Sequence, residues 1–402
     1  MADCRHRGAL VLFEGLPPTV IDSQVLTHAR LMREELGINL LIVAFACTYA
    51  IFARSAQRLE QAQKIAGGPI LLRRGVRPAW PGSLLVNRRR LAAALRASGD
   101  IAFVHARGDY TAAVAGPLAQ RRNLPMLWDC RGDTVAEFRQ RTEASGRSAR
   151  PITALRATLL QRDCGLAARS CSAAMFVSEP LRLLMAPLLV NKPNWVVPCL
   201  ALEDAFFFAA DLRRRQRAAL GFADDEIVFL YSGSLVGYQR FDDAVELMRG
   251  AFTAGRKIRF LVVTPEVAAA RSLMSRLPVD RAVCIAAELS EVNAYLNAAD
   301  FAFLLRDADA INRVAFPTKF AEYSLAGLKI VMKADPPSCV AVAHSLGTYV
   351  SAAAINDAPI AANAVRARTA TVAAQQLGRR AALPVFEQIY GSLMRGAQDV
   401  RA

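Results

Sequence analysis

The sequence predicts an α/β fold organised as two doubly wound, Rossmann-like domains. Three observations point there. The chain has 402 residues, 53% of them hydrophobic, which suits two domains of ordinary size better than one. Its strand-like runs are apolar throughout instead of alternating, as in strands covered on both faces. The order strand, helix, strand recurs in both halves, which winds helices onto both sides of a parallel sheet.

The first half opens with the run ALVLFEG, then a helical pattern from about Ser23 to Leu36, then INLLIVAFA. Next come DIAFVHARG, a helix from about Tyr110 to Arg122, PMLWDCRG and AAMFVSEP. The apolar run Leu40–Ala53 is shorter than the roughly 18–20 residues that cross a bilayer, so it reads as a buried strand and a short following segment. A boundary is expected near NWVVPCLALEDAFFF, where a strand ends in a proline-bearing loop. The domains are therefore placed at 1–200 and 201–380.

In the second half, EIVFLYSGS leads to a helix near Phe241–Ala254 and KIRFLVVTP to one at Glu266–Leu277. AVCIAAE leads to Glu291–Ala298, and FAFLLRD passes through a loop to Thr318–Ala326, before LKIVMKAD. Residues 381–402 form a terminal helix whose Val385, Phe386, Ile389, Tyr390 and Leu393 share one face, so it is expected to pack back, the first domain being the candidate.

Composition narrows the function classes. Eight cysteines (Cys4, Cys47, Cys130, Cys164, Cys171, Cys199, Cys284, Cys339) include no C-x-x-C pair, so they read as reduced, buried small hydrophobes. The four histidines have no ligand spacing to cysteine or carboxylate, and no metal site is expected. The N-terminal residues do not read as a secretory signal, and a cytoplasmic location is expected. The net charge of +15 is uneven: residues 1–200 hold 27 Lys/Arg and 14 Asp/Glu, an excess of 13 (27 − 14), against 23 and 21 in the rest. Arg73–Arg77, Arg88–Arg90 and Arg121–Arg122 contribute clusters. Such a half either attracts anionic ligands, nucleic acid or lipid, or is simply an arginine-rich set of solvated helix faces.

In doubly wound sheets ligands bind at the carboxyl ends of strands. There the second half places Gly233-Ser234, a turn whose amides can face an anion or merely turn the chain. It also places FPTKFAEYSLAG. Thr318 is expected to cap that helix, whose N-terminus favours a phosphate, and Lys319 adds a point charge. Glu322, one turn on, can accept two hydrogen bonds from a vicinal diol such as a ribose, or lie solvated on a surface helix. The first half places His105, Arg107, Asp129 and Arg131 at strand ends, with Glu137 following. Asp129 and Arg131 suit either a reactive site or a structural ion pair. The loop FEGLPPTVIDSQV, with Gly15 and Gln24, is positioned to contact a second substrate.

The SGSL turn, ELSEVNAYLNAADFAFLLR and NRVAFPTKFAEYSLAGLKIV together resemble the nucleotide-sugar-binding half of GT-B glycosyltransferases, notably family 4. Pro317, Lys319, Glu322, Tyr323, Ala326 and Gly327 match that family's loop pattern in place; DSQV and WDCRG look like pieces of its bacterial surface-polysaccharide members. The resemblance implies two domains facing across a cleft and a retaining, metal-independent hexosyl transfer. The donor is a nucleotide sugar and the acceptor a lipid-linked saccharide. Gly233, Ser234, Arg240, Arg313, Pro317, Thr318, Lys319 and Glu322 are the implied donor-side residues, with His105, Asp129 and Arg131 as catalytic candidates and Gly15, Gln24 and Arg107 on the acceptor side. The sequence departs from the family where Val314 replaces the earlier glutamate, Ser234 the turn's arginine and Gln239 its lysine; Arg313, Lys319 or Arg240 would restore positive charge. The basic first domain is expected to sit peripherally on an anionic inner-membrane face, an idea that liposome flotation at low salt tests. The alternatives are a GT-B sugar-nucleotide epimerase, a catalytically degenerate nucleotide-binding chain, and a nucleic-acid-binding protein.

Overall fold

The computed structural model describes residues 6–18, 20–147, 150–253 and 256–399; Cys4 and residues 400–402 of the expected terminal segment lie outside them. The chain divides into two compact units, Met1–Pro198 with Leu383–Ala402, and Cys199–Ala382. Each is a parallel sheet with helices around it, so the chain carries two Rossmann-like domains.

The sheet of the first unit has seven strands: β1 His6–Leu12, β2 Ile38–Ala46, β3 Ile70–Arg74, β4 Phe103–Arg107, β5 Met126–Cys130, β6 Ala173–Phe176 and β7 Asn194–Val196. Their spatial order is β3-β2-β1-β4-β5-β6-β7, all parallel. β2 is buried along nearly its whole length, which is why INLLIVAFA shows no alternation. Phe45, Phe103, Trp128 and Phe176 fill the core. The chain runs outward from β1 to β3, then returns to start β4 on the other side of β1. The carboxyl ends of β1 and β4 therefore flank a topological switch point, where doubly wound sheets open a crevice.

The helix Leu383–Asp399 belongs to this unit and lies on β4 and on the helix Thr27–Leu36. Phe386, Ile389, Tyr390 and Leu393 are its buried face.

The second unit has six strands: β8 Ile227–Ser232, β9 Ile258–Val263, β10 Ala282–Ile285, β11 Phe301–Leu304, β12 Lys329–Met332 and β13 Tyr349–Ser351, in the order β10-β9-β8-β11-β12-β13. Its switch point lies between β8 and β11. Phe229 stacks on Phe301 at 4.7 Å in the core. Two buried polar groups lock the helices to this sheet. Asp300, just before β11, accepts from Arg213 at 2.6 Å, Arg217 at 2.9 Å and the Val228 amide at 2.8 Å. Arg366 donates to the carbonyls of Leu296, Asn297, Ala299 and Ala326, and its guanidinium lies over Phe208. Gly327, at φ +65°, passes so close to Arg366 that any Cβ there would overlap its carbonyl oxygen.

Several elements were not singled out by the sequence. β3, ILLRR, is an edge strand with exposed arginines, and β13 has three residues. The helices Tyr49–Gln57, Leu59–Ala66, Ser83–Arg96 and Pro151–Ser170 also lie between the expected runs. No helix among the described residues is long and apolar enough to cross a membrane.

Candidate functional site

At the switch point of the second unit, β8 ends in Ser232 and the chain turns through Gly233 at φ +115°. A side chain at Gly233 would strain the backbone at that φ, and its Cβ would displace the Lys319 ammonium. Lys319 comes from the first turn of the helix Thr318–Leu325. Its Nζ donates to Gln239 Oε1 and lies 5.4 Å from the centre of the Tyr231 ring. Gln239 in turn donates to Ser234 Oγ at 3.2 Å, and Tyr231 donates to the Ser234 carbonyl at 2.7 Å. The turn Gly233–Ser234 and the Lys319 helix are thus one constellation.

A further cation completes it. Arg306 follows β11 on the other side of the switch point and is buried. It donates to the Tyr238 carbonyl at 2.9 Å, its guanidinium lies 4.8 Å from the Tyr238 ring centre, and its Nε has no hydrogen-bond partner. Among the described residues neither Arg306 nor Lys319 has a carboxylate at ion-pair distance. Burial, reinforced by the Arg306 charge, pushes the Lys319 ammonium down to about 7. Burial also pushes the Glu322 carboxyl up to about 7, with Lys319 pulling it back. The Glu322 carboxyl makes no hydrogen bond or ion pair among the described residues; its backbone carbonyl accepts from the Ala326 amide. Two cations lacking a counter-ion, beside an acid lacking a donor, can accept an anion and a hydroxyl-bearing group together.

The structure changes three expectations here. Thr318 is not the cap: Pro317 occupies that position and no side chain caps the helix, because the X-Pro backbone sets the entry while Thr318 is already helical. The turn amides are mostly taken, since Gly233 N–H donates to Val263 and Leu235 N–H to Glu266 at 2.6 Å; Ser234 N–H is left without a partner among the described residues. Arg240 is not a free cation. It pairs with Asp243 at 2.5 Å and with Asp242 and Asp307 at 3.3 Å each, in a network that Lys333 joins. Arg313 is exposed on the helix Ala310–Val314, and Val314 is buried there.

In the first unit, β4 delivers His105 and Arg107 and β5 delivers Asp129, with Arg131 beyond. Asp129 lies 3.4 Å from both His105 Nε2 and Arg131 Nη1, and 3.7 Å from Arg107 Nη1. Burial works to raise its pKa, but Arg131, His105 and Arg107 outweigh that and hold the carboxyl well below the usual range. Arg131 also reaches Gln24 Oε1 at 3.4 Å. Gly15 follows Glu14, which faces Arg107 at 3.4 Å, and takes a positive φ where its loop passes Ile51 and Ser55. Glu137, two turns of chain beyond Arg131, is loosely paired with Arg141 at 3.9 Å.

His105 and Asp129 are only 3% and 4% exposed, so they position neighbouring groups instead of meeting solvent. What the sequence did not reveal is their support. Tyr390 Oη lies 2.8 Å from His105 Nδ1 and 2.8 Å from His28 Nε2. His105 Nε2 approaches Asp129 at 3.4 Å without a hydrogen bond, so the Tyr390 hydroxyl is what fixes the His105 ring and ties it to His28.

No group of three or more His, Cys, Asp or Glu among the described residues is arranged to hold a metal ion.

No family model matches the chain, and no curated protein matches it by sequence. Solved structures do match its fold. HepE of Anabaena, in complex with UDP and glucose, superposes with a TM-score of 0.67 at 13% identity, covering 96% of this chain and 99% of that one. WaaG, a glycosyltransferase involved in lipopolysaccharide biosynthesis, superposes at 0.60 with 13% identity, covering 94% and 97%. A Listeria monocytogenes protein described as a UDP-N-acetylglucosamine 2-epimerase superposes at 0.57 with 10% identity, covering 97% of each. The likeness is one of fold, and the fold serves both transfer and epimerisation.

Proposed function

We propose that the chain is a retaining glycosyltransferase that moves a hexosyl group from a nucleotide sugar to a saccharide acceptor, lipid-linked, in surface-polysaccharide synthesis. The second unit holds the donor. The observation that carries this reading is the pairing of Lys319 and Arg306, neither with a counter-ion, across the β8/β11 switch point, with Glu322 beside them. The donor diphosphate sits on the two cations and the Ser234 amide, and Glu322 accepts from the ribose diol. HepE and WaaG support the reading by what they bind and do.

Transfer builds negative charge on the leaving diphosphate. Donors already aimed at that oxygen contribute about 3 kcal/mol each, because they need no reorganisation. Lys319 and Arg306 take this part. The Asp129 cluster holds Arg131 and Arg107 toward the acceptor. A thermal-shift screen of UDP-, GDP-, ADP- and dTDP-sugars tests the assignment. One donor is expected to raise the melting temperature of the wild type and to have little effect on Glu322→Ala; equal stabilisation of both would remove Glu322 from the site.

Proton linkage gives a second expected result. With Lys319 near 7 in the empty site, it is largely neutral at pH 8. A bound diphosphate favours the ammonium and raises its pKa, so binding takes up protons and weakens as pH rises above 7. Calorimetric titration of UDP at pH 8 in buffers of different ionisation enthalpy should report net uptake in the wild type and less in Lys319→Gln. Identical heats in both buffers would contradict the role of Lys319.

A further inference from the structure

The first unit carries an arginine-lined cavity of which the reading above uses only Arg107. It holds about 400 Å³ and lies at the carboxyl ends of β1 and β4, the switch point of that sheet, between Phe13-Glu14 and Arg107-Gly108. Arg77, Arg141 and Arg156 line it. Arg156 is held over two aromatic rings, its guanidinium carbon 5.0 Å from the Phe138 ring centre and 5.5 Å from that of Trp80. A guanidinium can grip an oxyanion with two bonds.

These charges have little to neutralise them. Arg156 Nε is shielded from water and has no hydrogen-bond partner. Among the described residues neither Arg77 nor Arg156 has an ion-pair partner, and Arg141 meets Glu137 only at 3.9 Å. The acids at the cavity wall are already engaged. Glu14 faces Arg107 at 3.4 Å, and Asp109 accepts from Trp128 at 3.1 Å and Thr134 at 2.8 Å. Burial, with Arg77 and Arg141 adding repulsion, lowers the Arg156 pKa, as expected where like charges meet without an anion. The first turn of the helix Asp109–Arg121 opens on the same space through Gly108, Asp109, Tyr110 and Thr111. Its free amides and dipole add to the attraction for negative charge.

We infer that this cavity is a phosphoryl-binding subsite, in which Arg77 and Arg156 grip a phosphate or diphosphate carried by the acceptor. The phosphoryl group can belong to a soluble sugar phosphate or to a lipid-linked one. The acceptor's part rests on the transferase reading; the subsite itself does not.

The test uses the full chain with Lys319→Gln and Arg306→Gln together, so that the second unit's site does not compete for the probe. Inorganic pyrophosphate is titrated by calorimetry. Saturable binding is expected, weakened at least tenfold by Arg77→Ala and by Arg156→Gln, and partly kept by Arg156→Lys. Arg77 is exposed and makes no side-chain hydrogen bond among the described residues, so its variant should fold normally. No binding, or binding that ignores both arginines, would overturn the inference. Glucose 1-phosphate and dodecyl phosphate, run as parallel probes, decide between a soluble and a lipid-borne source. Failure of UDP to bind the wild type would overturn the donor reading and leave this result standing.

Discussion

Replacing Lys319 and Arg306 together by glutamine is expected to weaken UDP binding by roughly 100- to 1,000-fold, about 3–4 kcal/mol. A hydrogen bond to a charged group contributes about 1.5–3 kcal/mol, so two lost separately would give about 3–6. Removing one cation relieves the repulsion that the other suffers in the empty site, so the double variant loses at least as much as the two single variants summed. Each single glutamine variant should therefore lose only about tenfold, near one charge-assisted bond less the relief. Lys319→Arg keeps the charge but brings a planar group where Gln239, Tyr231 and the bare Gly233 accommodate a narrow ammonium, so it should bind worse than the wild type. Calorimetric titration reads the affinities, and far-ultraviolet circular dichroism checks that the variants fold. A double variant within threefold of the wild type would mean that the anion sits elsewhere.

Asp300→Ala is expected to destabilise the second unit by about 3–5 kcal/mol, the loss usual when one partner of a buried ion pair is removed. Its carboxylate is buried and serves three donors: Arg213, Arg217 and the Val228 amide. Arg217 is almost wholly enclosed, and its other donors go to the carbonyls of Ala298, Ala223, Asp224 and Glu226. Alanine leaves a guanidinium charge in the interior with no counter-ion, and β8 loses the contact that begins its pairing with β11. Asp300→Asn keeps an acceptor for one of the three and should cost less. Urea unfolding measures both. A loss below about 1 kcal/mol for the alanine variant would show that Arg213 and Arg217 find other partners or water.

Much of the fold was legible because parallel strands buried on both faces leave uninterrupted apolar runs. INLLIVAFA, EIVFLYSGS and KIRFLVVTP are of that kind, and their spacing leaves room for one helix between strands. Edge strands lack the signal. In ILLRR the arginines face water, and YVS is too short to show any period. The site was legible in the same uneven way. Gly233 follows a strand end and Lys319 opens a helix, and each carries its own local mark, a tight turn and a helix start. Arg306 carries none. It looks like the charged residue that closes any strand, and only the sheet order sets it across the switch point from Gly233. Arg240 misled for the converse reason, since Asp242 and Asp243 beside it and Asp307 from another loop neutralise its charge. Tyr390 meets His28 and His105 across 362 and 285 residues, a distance that no local pattern spans.

The most direct measurement is a crystal structure of the chain with UDP bound. Its β-phosphate should lie within hydrogen-bond distance of Lys319 Nζ and of an Arg306 nitrogen, with the ribose hydroxyls on Glu322. Nucleotide density away from the end of β8, or a diphosphate touching neither cation, would contradict the account.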